Sequence, residues 1–373
     1  MKKFNTYFLF FILFLSPLFL KATTIPFELI DGKIIVKVTI KNNQHNFIFD
    51  SGAFTIISPE LKDKMNAKKS NIVFEGVDAN AVKSKMDVFS TNNLQISGLI
   101  MKDVNFSFAD VSWMSSRACQ EISGILGANM MKGKIWQLDF KHKTITVSDK
   151  PNEKPAGSVE IPFSEENFTS VPKINAKIRS QNIEFIFDTG SGMGFTINQK
   201  SYDLIKDNDF LTFEGLLAQS LNSTSKGERQ VDLMEVEISN INLGNQIVDS
   251  NFNARNLLGT RFMENYLVDL DFINKRIILH TLNKTPEYST FGIALAPIKD
   301  DLVIVNKLQI PELGELKLTE KIIKINDIDV SKINNETFCE VKKILDTNDK
   351  VIIENVSGKK YTLEKKNVLR YLN

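Results

Sequence analysis

The chain has 373 residues, 42% of them hydrophobic and 24% charged, which is the composition of a folded globular protein and excludes a disordered one. Its formal net charge is +1, from 46 basic and 45 acidic residues, without any block of like charge, so neither nucleic acid nor an anionic membrane surface is an expected partner. Three scattered histidines form no metal-binding pattern, and we expect no metal and no cofactor. The length predicts two or three domains.

Residues 1–22 have the layout of a secretory signal peptide. A basic start, MKK, precedes the apolar run FNTYFLFFILFLSPLFL, and the small residue Ala22 follows. The alternative is a membrane anchor, since the apolar stretch from 7 to 20 is short for a span but long for a signal core. We therefore expect an exported protein, in the periplasm, on the outer surface or secreted. Any membrane contact would then be through an uncleaved signal segment.

The chain after this segment is a tandem duplication followed by a tail. Four landmarks recur in the same order with nearly equal gaps, which composition alone would not produce. They are FIFDSGAFTI (47–56) and FIFDTGSGMGFTI (185–197), FEGVDAN (74–80) and FEGLLAQ (213–219), ILG (125–127) and LLG (257–259), and LDF (138–140) and LDF (270–272). In both copies the LDF aspartate, Asp139 or Asp271, stands 12 residues after the glycine of the preceding landmark (139 minus 127, 271 minus 259). We expect both of these aspartates to hold turns.

Short apolar or alternating runs such as KIIVKVTI and RIILH predict that each copy is made of β-strands. A repeat of about 135 residues is too long for a solenoid unit, so we predict two β-barrel lobes, residues 23–150 and 159–282, sharing one cleft. The polar stretch 149–158, with two prolines, reads as the connector. Residues 288–373 mix strand-like runs with one helical segment and predict a small α+β domain.

Cys119 and Cys339 are the two cysteines of the chain. They fall in different predicted domains, so we expect two free thiols that pack as small apolar residues, and no disulfide. Trp113 and Trp136 are expected in the core or in the wall of the cleft.

In each copy a buried strand, FIF, carries an aspartate at its end, and a hydroxyl residue and a glycine follow. The glycine allows a sharp turn and the hydroxyl can stiffen it, so the carboxylate is held rigidly. One such tripeptide is a common turn, but two in a duplicated fold can bring Asp50 and Asp188 together across a pseudo-two-fold axis. Two adjacent carboxylates share a proton and titrate as a pair, which suits them to act as base and acid.

The sequences FDSGA and FDTGS, each followed by an apolar run and later by ILG or LLG, resemble the pepsin and retropepsin superfamily of aspartic proteases. The resemblance covers roughly residues 25 to 282. It implies that Asp50 and Asp188 are the catalytic pair and that Ser51 and Thr189 join the two loops by hydrogen bonds. The other positions that it implies are Gly52, Gly190 and Ser191 beside the pair, Gly127 and Gly259 beneath the loops, and Gly76 and Gly215 as possible flap positions.

The second loop, DTGSGMG, is longer than the first by three residues and rich in glycine. A glycine-rich loop after a strand can bind a nucleotide, but this one leads into FTI, another strand-like run, and not into a helix that could hold phosphate. Which lobe covers the cleft with a flap is open, since neither segment carries a clear flap pattern.

The tail resembles a PDZ domain of the bacterial type, on the segments FGIAL and ELGELKLTEKIIKINDIDV. This resemblance implies that Phe291, Gly292 and Ile293 form a loop that captures a peptide C-terminus and adds the peptide as an extra strand. The partners expected are therefore a peptide or protein substrate in the cleft and a peptide end at the tail.

Taken together, the sequence predicts an exported aspartic endopeptidase. One alternative is a catalytically silent peptide-binding protein of the same fold. Another is a structural module of the cell envelope, which gives no reason for two equivalent buried aspartates, since burial of a charge is costly unless it is paired.

Overall fold

The computed structural model describes residues 22–77, 82–92, 94–151, 154–207, 209–219, 224–251, 255–281 and 287–372. Apart from its last position, the predicted signal segment 1–22 lies outside these residues. The predicted fold class is confirmed: the chain is mainly β, with barrel-like sheets. Within the described ranges, none of the helices is both long and apolar enough to cross a membrane.

The first repeat is built of strands that bury one face. In the second strand, Val36, Val38 and Ile40 are buried whereas Lys37 is exposed, because neighbouring side chains of a strand point to opposite faces. Its elements are β1 (Thr23–Ile30), β2 (Lys33–Ile40), β3 (Asn43–Asp50), β4 (Ile56–Ile57), a 3₁₀ helix (Pro59–Lys64), β5 (Lys68–Val77), β6 (Lys83–Thr91), β7 (Leu94–Ile96), β8 (Leu99–Met101), β9 (Val104–Phe108), α1 (Ser112–Ala118), β10 (Gly124–Gly127), α2 (Ala128–Met131), β11 (Ile135–Asp139) and β12 (Thr144–Ser148).

The second repeat has the same strand order. The path β2-β3-β10-β4-β9-β6-β5 of the first repeat is matched by the path β15-β16-β21-β17-β20-β19-β18 of the second. Its elements are β13 (Val159–Pro162), β14 (Ser164–Glu165), β15 (Pro172–Ile178), β16 (Gln181–Phe187), β17 (Phe195–Asn198), α3 (Gln199–Asp203), β18 (Leu211–Gln219), β19 (Thr224–Ile238), β20 (Ile241–Asn251), β21 (Leu257–Leu258), α4 (Thr260–Met263), β22 (Tyr266–Asp271) and β23 (Arg276–Thr281).

A sheet with strands from both repeats joins them at the base. Its strands lie in the order β13-β23-β22-β11-β12-β1, and the antiparallel pair β11–β22 crosses from one repeat to the other. Trp136 lies opposite Leu270 in this pair, and both are fully buried. Trp136 is therefore a core residue, as expected. The two LDF aspartates hold turns, since Asp139 accepts a bond from the backbone N–H of His142 and Asp271 from that of Asn274.

The tail is a small unit of strands and one longer helix. The helix is capped by Asn334, whose side chain accepts a bond from the backbone N–H of Thr337 at 2.9 Å. Its elements are β24 (Ser289–Thr290), β25 (Ile293–Ile298), β26 (Asp301–Leu308), a 3₁₀ helix (Pro311–Leu313), β27 (Lys321–Ile325), β28 (Ile328–Asp329), α5 (Asn335–Thr347), β29 (Lys350–Asn355), β30 (Lys360–Glu364), β31 (Lys366–Asn367) and a 3₁₀ helix (Val368–Tyr371).

The tail is attached to both repeats. Strand β26 pairs with β18 of the second repeat, with Glu214 opposite Lys307, and their side chains form an ion pair at 3.4 Å. On the other side, Lys342 of α5 forms an ion pair with Asp31 of the first repeat at 2.5 Å. The tail thus bridges the two lobes.

Cys119 and Cys339 form a disulfide, and the expectation of two free thiols is wrong. Their Cα atoms are 5.5 Å apart although 220 residues separate them in sequence. The expectation failed because it assumed that separate domains keep their cysteines apart. Here α1 of the first repeat is followed by Cys119, and α5 of the tail carries Cys339 against it.

Replacing both cysteines, Cys119→Ser with Cys339→Ser, is expected to lower the free energy of unfolding by about 2–4 kcal/mol, because a long loop is no longer closed in the unfolded chain. The measurement is thermal unfolding of the oxidised wild type and the variant, each with and without reductant. Reductant should lower the melting temperature of the wild type and leave that of the variant unchanged. An unchanged wild type would contradict the presence of the disulfide in solution.

Candidate active site

The two aspartates lie at the ends of equivalent strands. Strand β3 ends at Asp50 and runs parallel to β10, which places Gly127 opposite Asp50. In the second repeat, β16 runs parallel to β21, and the backbone N–H of Asp188 donates to the carbonyl of Leu258 at 2.9 Å. A strand of buried residues thus fixes each carboxylate, and the glycine elements lie beneath the loops.

Gly127 and Gly259 are positions where a side chain would not fit. A Cβ on Gly127 would lie 2.5 Å from the carbonyl oxygen of Ala53, and one on Gly259 would lie 2.5 Å from that of Ser191. These oxygens belong to the aspartate loops themselves. The glycines therefore allow each loop to rest directly on the backbone below it.

Four hydrogen bonds join the two loops reciprocally. The backbone N–H of Ser51 donates to Thr189 Oγ1 at 2.9 Å, and that of Thr189 donates to Ser51 Oγ at 3.0 Å. The Ser51 hydroxyl donates to the carbonyl of Phe187 at 2.6 Å, and the Thr189 hydroxyl donates to that of Phe49 at 2.8 Å. Both hydroxyl residues are fully buried, so these bonds are shielded from water.

The neighbouring glycines bring the carboxylates together. The backbone N–H of Gly52 donates to Asp50 Oδ1, and that of Gly190 donates to Asp188 Oδ1, both at 2.8 Å. A Cβ on Gly52 would lie 2.5 Å from Asp188 Cγ, and one on Gly190 would lie even closer to Asp50 Cγ. Each glycine thus packs against the carboxylate of the other repeat.

The two carboxyls of the aspartate loops lie close together in a buried environment, and the pKa of each is raised. Burial, and then the charge and hydrogen bond of Asp188, raise the pKa of Asp50 well above its usual range. Burial also raises the pKa of Asp188, against the bonds that it accepts. The carboxylates are within hydrogen-bonding reach of each other, so the pair holds one proton between them more readily than two separate aspartates would.

The longer second loop has a structural use. Ser191 contributes its backbone N–H to Asp188, while its hydroxyl accepts a long bond of 3.5 Å from Met193 N. Farther along, a Cβ on Gly32 would lie 2.6 Å from Gly192 Cα. The extra glycines therefore let the turn before β2 of the first repeat pack directly against the second loop.

A cleft of about 850 Å³ runs above the aspartates. The β5–β6 hairpin of the first repeat lies along it, with Phe74, Gly76 and Met86 in its lining. Phe74 also packs on Phe168 of the second repeat, with ring centroids 5.2 Å apart. Residues 78–81, between the two strands, lie outside the described residues. Gly76 is thus on a hairpin that reaches across the cleft.

Gly215 lies elsewhere. It is in β18 between Gly227 of β19 and Asn306 of the tail strand β26. Its φ of +114° is in the region that only glycine adopts easily, and a Cβ there would overlap the carbonyl of Val305. Part of β18 of the second repeat is therefore covered by the tail, although Leu217 of the same strand also lines the cleft.

The tail also contributes to the cleft. Tyr288 lines it and accepts a hydrogen bond from Arg229 Nη2 at 2.9 Å. Arg229 forms a buried ion pair with Asp249 at 2.5 Å. The guanidinium of Arg261 lies 3.9 Å from the centroid of the Tyr288 ring. Cation–π contacts of this kind hold the start of the tail against the second repeat.

The tail loop predicted to bind a peptide is at the start of β25. Phe291 is buried, and Gly292 has a φ of +76° and donates its N–H to Thr290 Oγ1 at 3.1 Å. Ile293 begins β25, which pairs with β26 along one edge. These residues are outside the lining of the cleft between the lobes.

A pH prediction follows from the pair. A carboxyl whose pKa rises on folding binds its proton more tightly in the folded chain, so its stabilisation is full below the usual value of 3.8 and is lost as the pH rises through the raised value. Asp50→Asn should therefore gain stability relative to the wild type as the pH rises from about 4 to 8, by about 2 °C or more in melting temperature.

The matched control for this measurement is Asp139→Asn. Burial acts to raise the pKa of Asp139, but the bonds from His142 outweigh it and lower the pKa. A lowered pKa contributes stability that is nearly complete above 3.8 and is lost as the pH falls through the lowered value, so this variant should keep a nearly constant difference from the wild type between about pH 4 and 8. Equal slopes for both variants would contradict a buried carboxyl pair.

The mainly β duplicated fold, with paired carboxylates on the floor of a cleft, is consistent with an aspartic protease fold. Residues 36–130 match the family model described as aspartyl protease. The match includes the first aspartate loop and the glycine element beneath it, and supports an aspartyl protease of the retropepsin type and a peptidase-like hydrolase function. The chain matches no curated protein.

Several cleft residues carry no sequence signal. Lys33 and Arg117 line the cleft, but each is one cation in an unremarkable strand or helix. Arg229 is in a strand rich in charged residues, where nothing marks it as buried. Trp113 lines the cleft, and the cleft wall is one of the two places where the sequence predicted it. Tertiary packing brings these residues to the cleft, and no local sequence pattern encodes it.

Proposed function

We propose that the chain is an exported aspartic endopeptidase that hydrolyses peptide bonds with a water activated between Asp50 and Asp188. The observation that carries the proposal is the close-packed carboxylate pair, one from each repeat, on the floor of a cleft of about 850 Å³. A cleft of this size suits an extended peptide of several residues.

The chemistry assigned to the pair needs one proton between two carboxyls. The ionised carboxylate takes a proton from the water, which attacks the carbonyl carbon of the scissile bond, while the protonated partner donates its proton to the carbonyl oxygen. The tetrahedral diol then collapses: the C–N bond breaks as the protonated carboxyl gives its proton to the leaving nitrogen, and the ionised carboxylate takes a proton from a diol hydroxyl, which restores one proton to the pair. The bonds of Ser51 and Thr189 keep both loops rigid, so the pair is preorganised for this transfer.

Export and peptide recognition by the tail are parts of the same proposal. The layout of residues 1–22 supports export, and a disulfide between Cys119 and Cys339 suits an oxidising compartment. The tail, as a PDZ-like unit, would recognise a peptide end or present substrate to the cleft. Its attachment to both lobes supports a role coupled to the cleft.

The test is cleavage of a mixed peptide library by the purified chain without residues 1–22, between about pH 3 and 8, with and without a statine-type transition-state analogue. We expect cleavage that the analogue blocks and internal cut sites. A folded wild type that binds peptides but cleaves none at any pH would replace the proposal with the catalytically silent binding protein.

A further inference from the structure

Three hydrogen-bond donors line the cleft on the side of the first repeat. Lys33 is the first residue of β2, next to the turn that packs on the second aspartate loop. Trp113 and Arg117 are in α1, four residues apart, which places them on one face of that helix. All three are in the lining of the cleft.

Within the described ranges, these donors have no hydrogen-bond acceptor. Among those residues, the indole Nε1 of Trp113 is buried without a partner. Over the part of the chain that the structure describes, neither the Lys33 amine nor the Arg117 guanidinium has a hydrogen bond or ion pair. The nearby acid, Asp31, is already paired with Lys342 of α5. A buried donor without a partner is costly, so the Trp113 indole indicates that a ligand supplies an acceptor here. The Lys33 amine is half-buried and the Arg117 side chain is exposed, so both can reach the same ligand from the wall of the cleft.

The charges select the kind of acceptor. Burial lowers the pKa of Lys33, and the charge of Arg117 adds to that effect although Asp31 opposes it. Two cations in one space repel each other, and a neutral carbonyl would satisfy a donor but not offset both charges. An ionised carboxylate only accepts hydrogen bonds and can take two from a guanidinium, so it suits all three groups.

We propose that Lys33, Trp113 and Arg117 form a subsite for a carboxylate of the substrate, so that the enzyme selects peptides with an acidic group near the scissile bond. This inference rests on the proposed endopeptidase function. The carboxylate is either an aspartate or glutamate side chain or a free C-terminus, since both offer the same two oxygens.

The subsite lies close to the reacting atoms. The charge of Lys33 acts on both Asp50 and Asp188 as well as on Arg117. A carboxylate bound there would offset the positive charge of Lys33 and Arg117 beside the catalytic pair. The substrate would then add a negative charge beside that of Asp31, which is already paired with Lys342.

The experiment compares matched peptides that differ in one charge. At each position near a cut site, glutamate is exchanged for glutamine, and in a second arm a free C-terminus is exchanged for an amide. We expect the acidic peptide of one pair to have a kcat/KM about tenfold or more higher. Lys33→Met and Arg117→Leu should bring this ratio towards one, and Arg117→Glu should favour lysine instead.

The control variant is Lys37→Met. Lys37 is in the same strand, exposed, and bonded to Asn46 Oδ1 at 2.5 Å, so it should keep the wild-type ratio. The arm in which the preference appears identifies the source of the carboxylate. Cleavage without preference in either arm, or a preference that survives both Lys33→Met and Arg117→Leu, would overturn the inference while the proposed function stands.

If no peptide is cleaved, the proposed function fails and the subsite is tested by binding. Calorimetric titration of the same peptide pairs into the wild type should then show about tenfold tighter binding of the acidic member, reduced in Lys33→Met. Equal affinities for both members of every pair would overturn the inference independently.

Discussion

Asp50→Asn and Asp188→Asn are each expected to lower kcat/KM for a peptide substrate by at least about a thousandfold, with the fold intact. Asparagine keeps the size of the side chain but cannot exchange the proton that the mechanism moves between water, substrate and carboxyl. Steady-state kinetics on a cleaved library peptide, beside circular dichroism and thermal unfolding, measures both effects.

The double variant should be no less active than either single variant, because groups that act as one unit are not additive. Asp139→Asn is the matched control, since Asp139 is the equivalent type of residue in a turn outside the cleft, and its activity should stay within about twofold of wild type. Loss of activity in only one of the two cleft variants would replace the shared pair with a single catalytic carboxylate.

Gly52→Ala is expected to lower kcat/KM by about a hundredfold or more without removing any catalytic group. The new Cβ would lie 2.5 Å from Asp188 Cγ, so the two carboxyls must separate. Asp188 cannot simply rotate away, because its Oδ1 accepts a bond from Gly190 and its own N–H is bonded to Leu258. Displacement of the reacting groups by about 1 Å is enough for an effect of this size.

The pH dependence of stability distinguishes displacement of the two carboxyls from a general loss of folding. Carboxyls forced apart interact less, so the pH dependence of stability should move towards that of Asp50→Asn. Gly314→Ala is the control: Gly314 has a φ of −58° in the tail, and the nearest atom to a new Cβ is 3.2 Å away. It should retain activity, whereas a Gly52→Ala protein with normal kinetics would disprove the close packing of the loops.

Short apolar or alternating runs were enough to predict the mainly β class. The repeated motif was enough to single out Asp50 and Asp188, because a duplicated fold brings equivalent residues to its axis. The residue types also indicated the loop chemistry. A hydroxyl and a glycine after a buried strand can stiffen a sharp turn, and in the structure Ser51 and Thr189 hold the loops together. The second loop was read correctly as leading into a strand, β17, and not into a helix.

Contacts between distant segments could not be predicted. Cys119 and Cys339 carry no sign of their proximity, and the pairing of β18 with β26 follows from tertiary packing that no local pattern encodes. The same holds for Lys33 and Arg117, because their role depends on which side chains lie near them in the folded chain. Gly76 and Gly215 occupy equivalent positions of the repeated sequence, but in the structure Gly76 lies at the cleft and Gly215 against the tail. The sequence did not predict this difference.

The disulfide makes a covalent ring of residues 119 to 339, and the whole second lobe lies within it. A protease that nicks the connector at 149–158 would open this ring but would not release either piece. The result would be a two-chain protein, with residues up to the nick joined through Cys119 to the fragment that carries Cys339. Each chain of such a product would hold one aspartate of the pair, and only reduction would free them to diffuse apart.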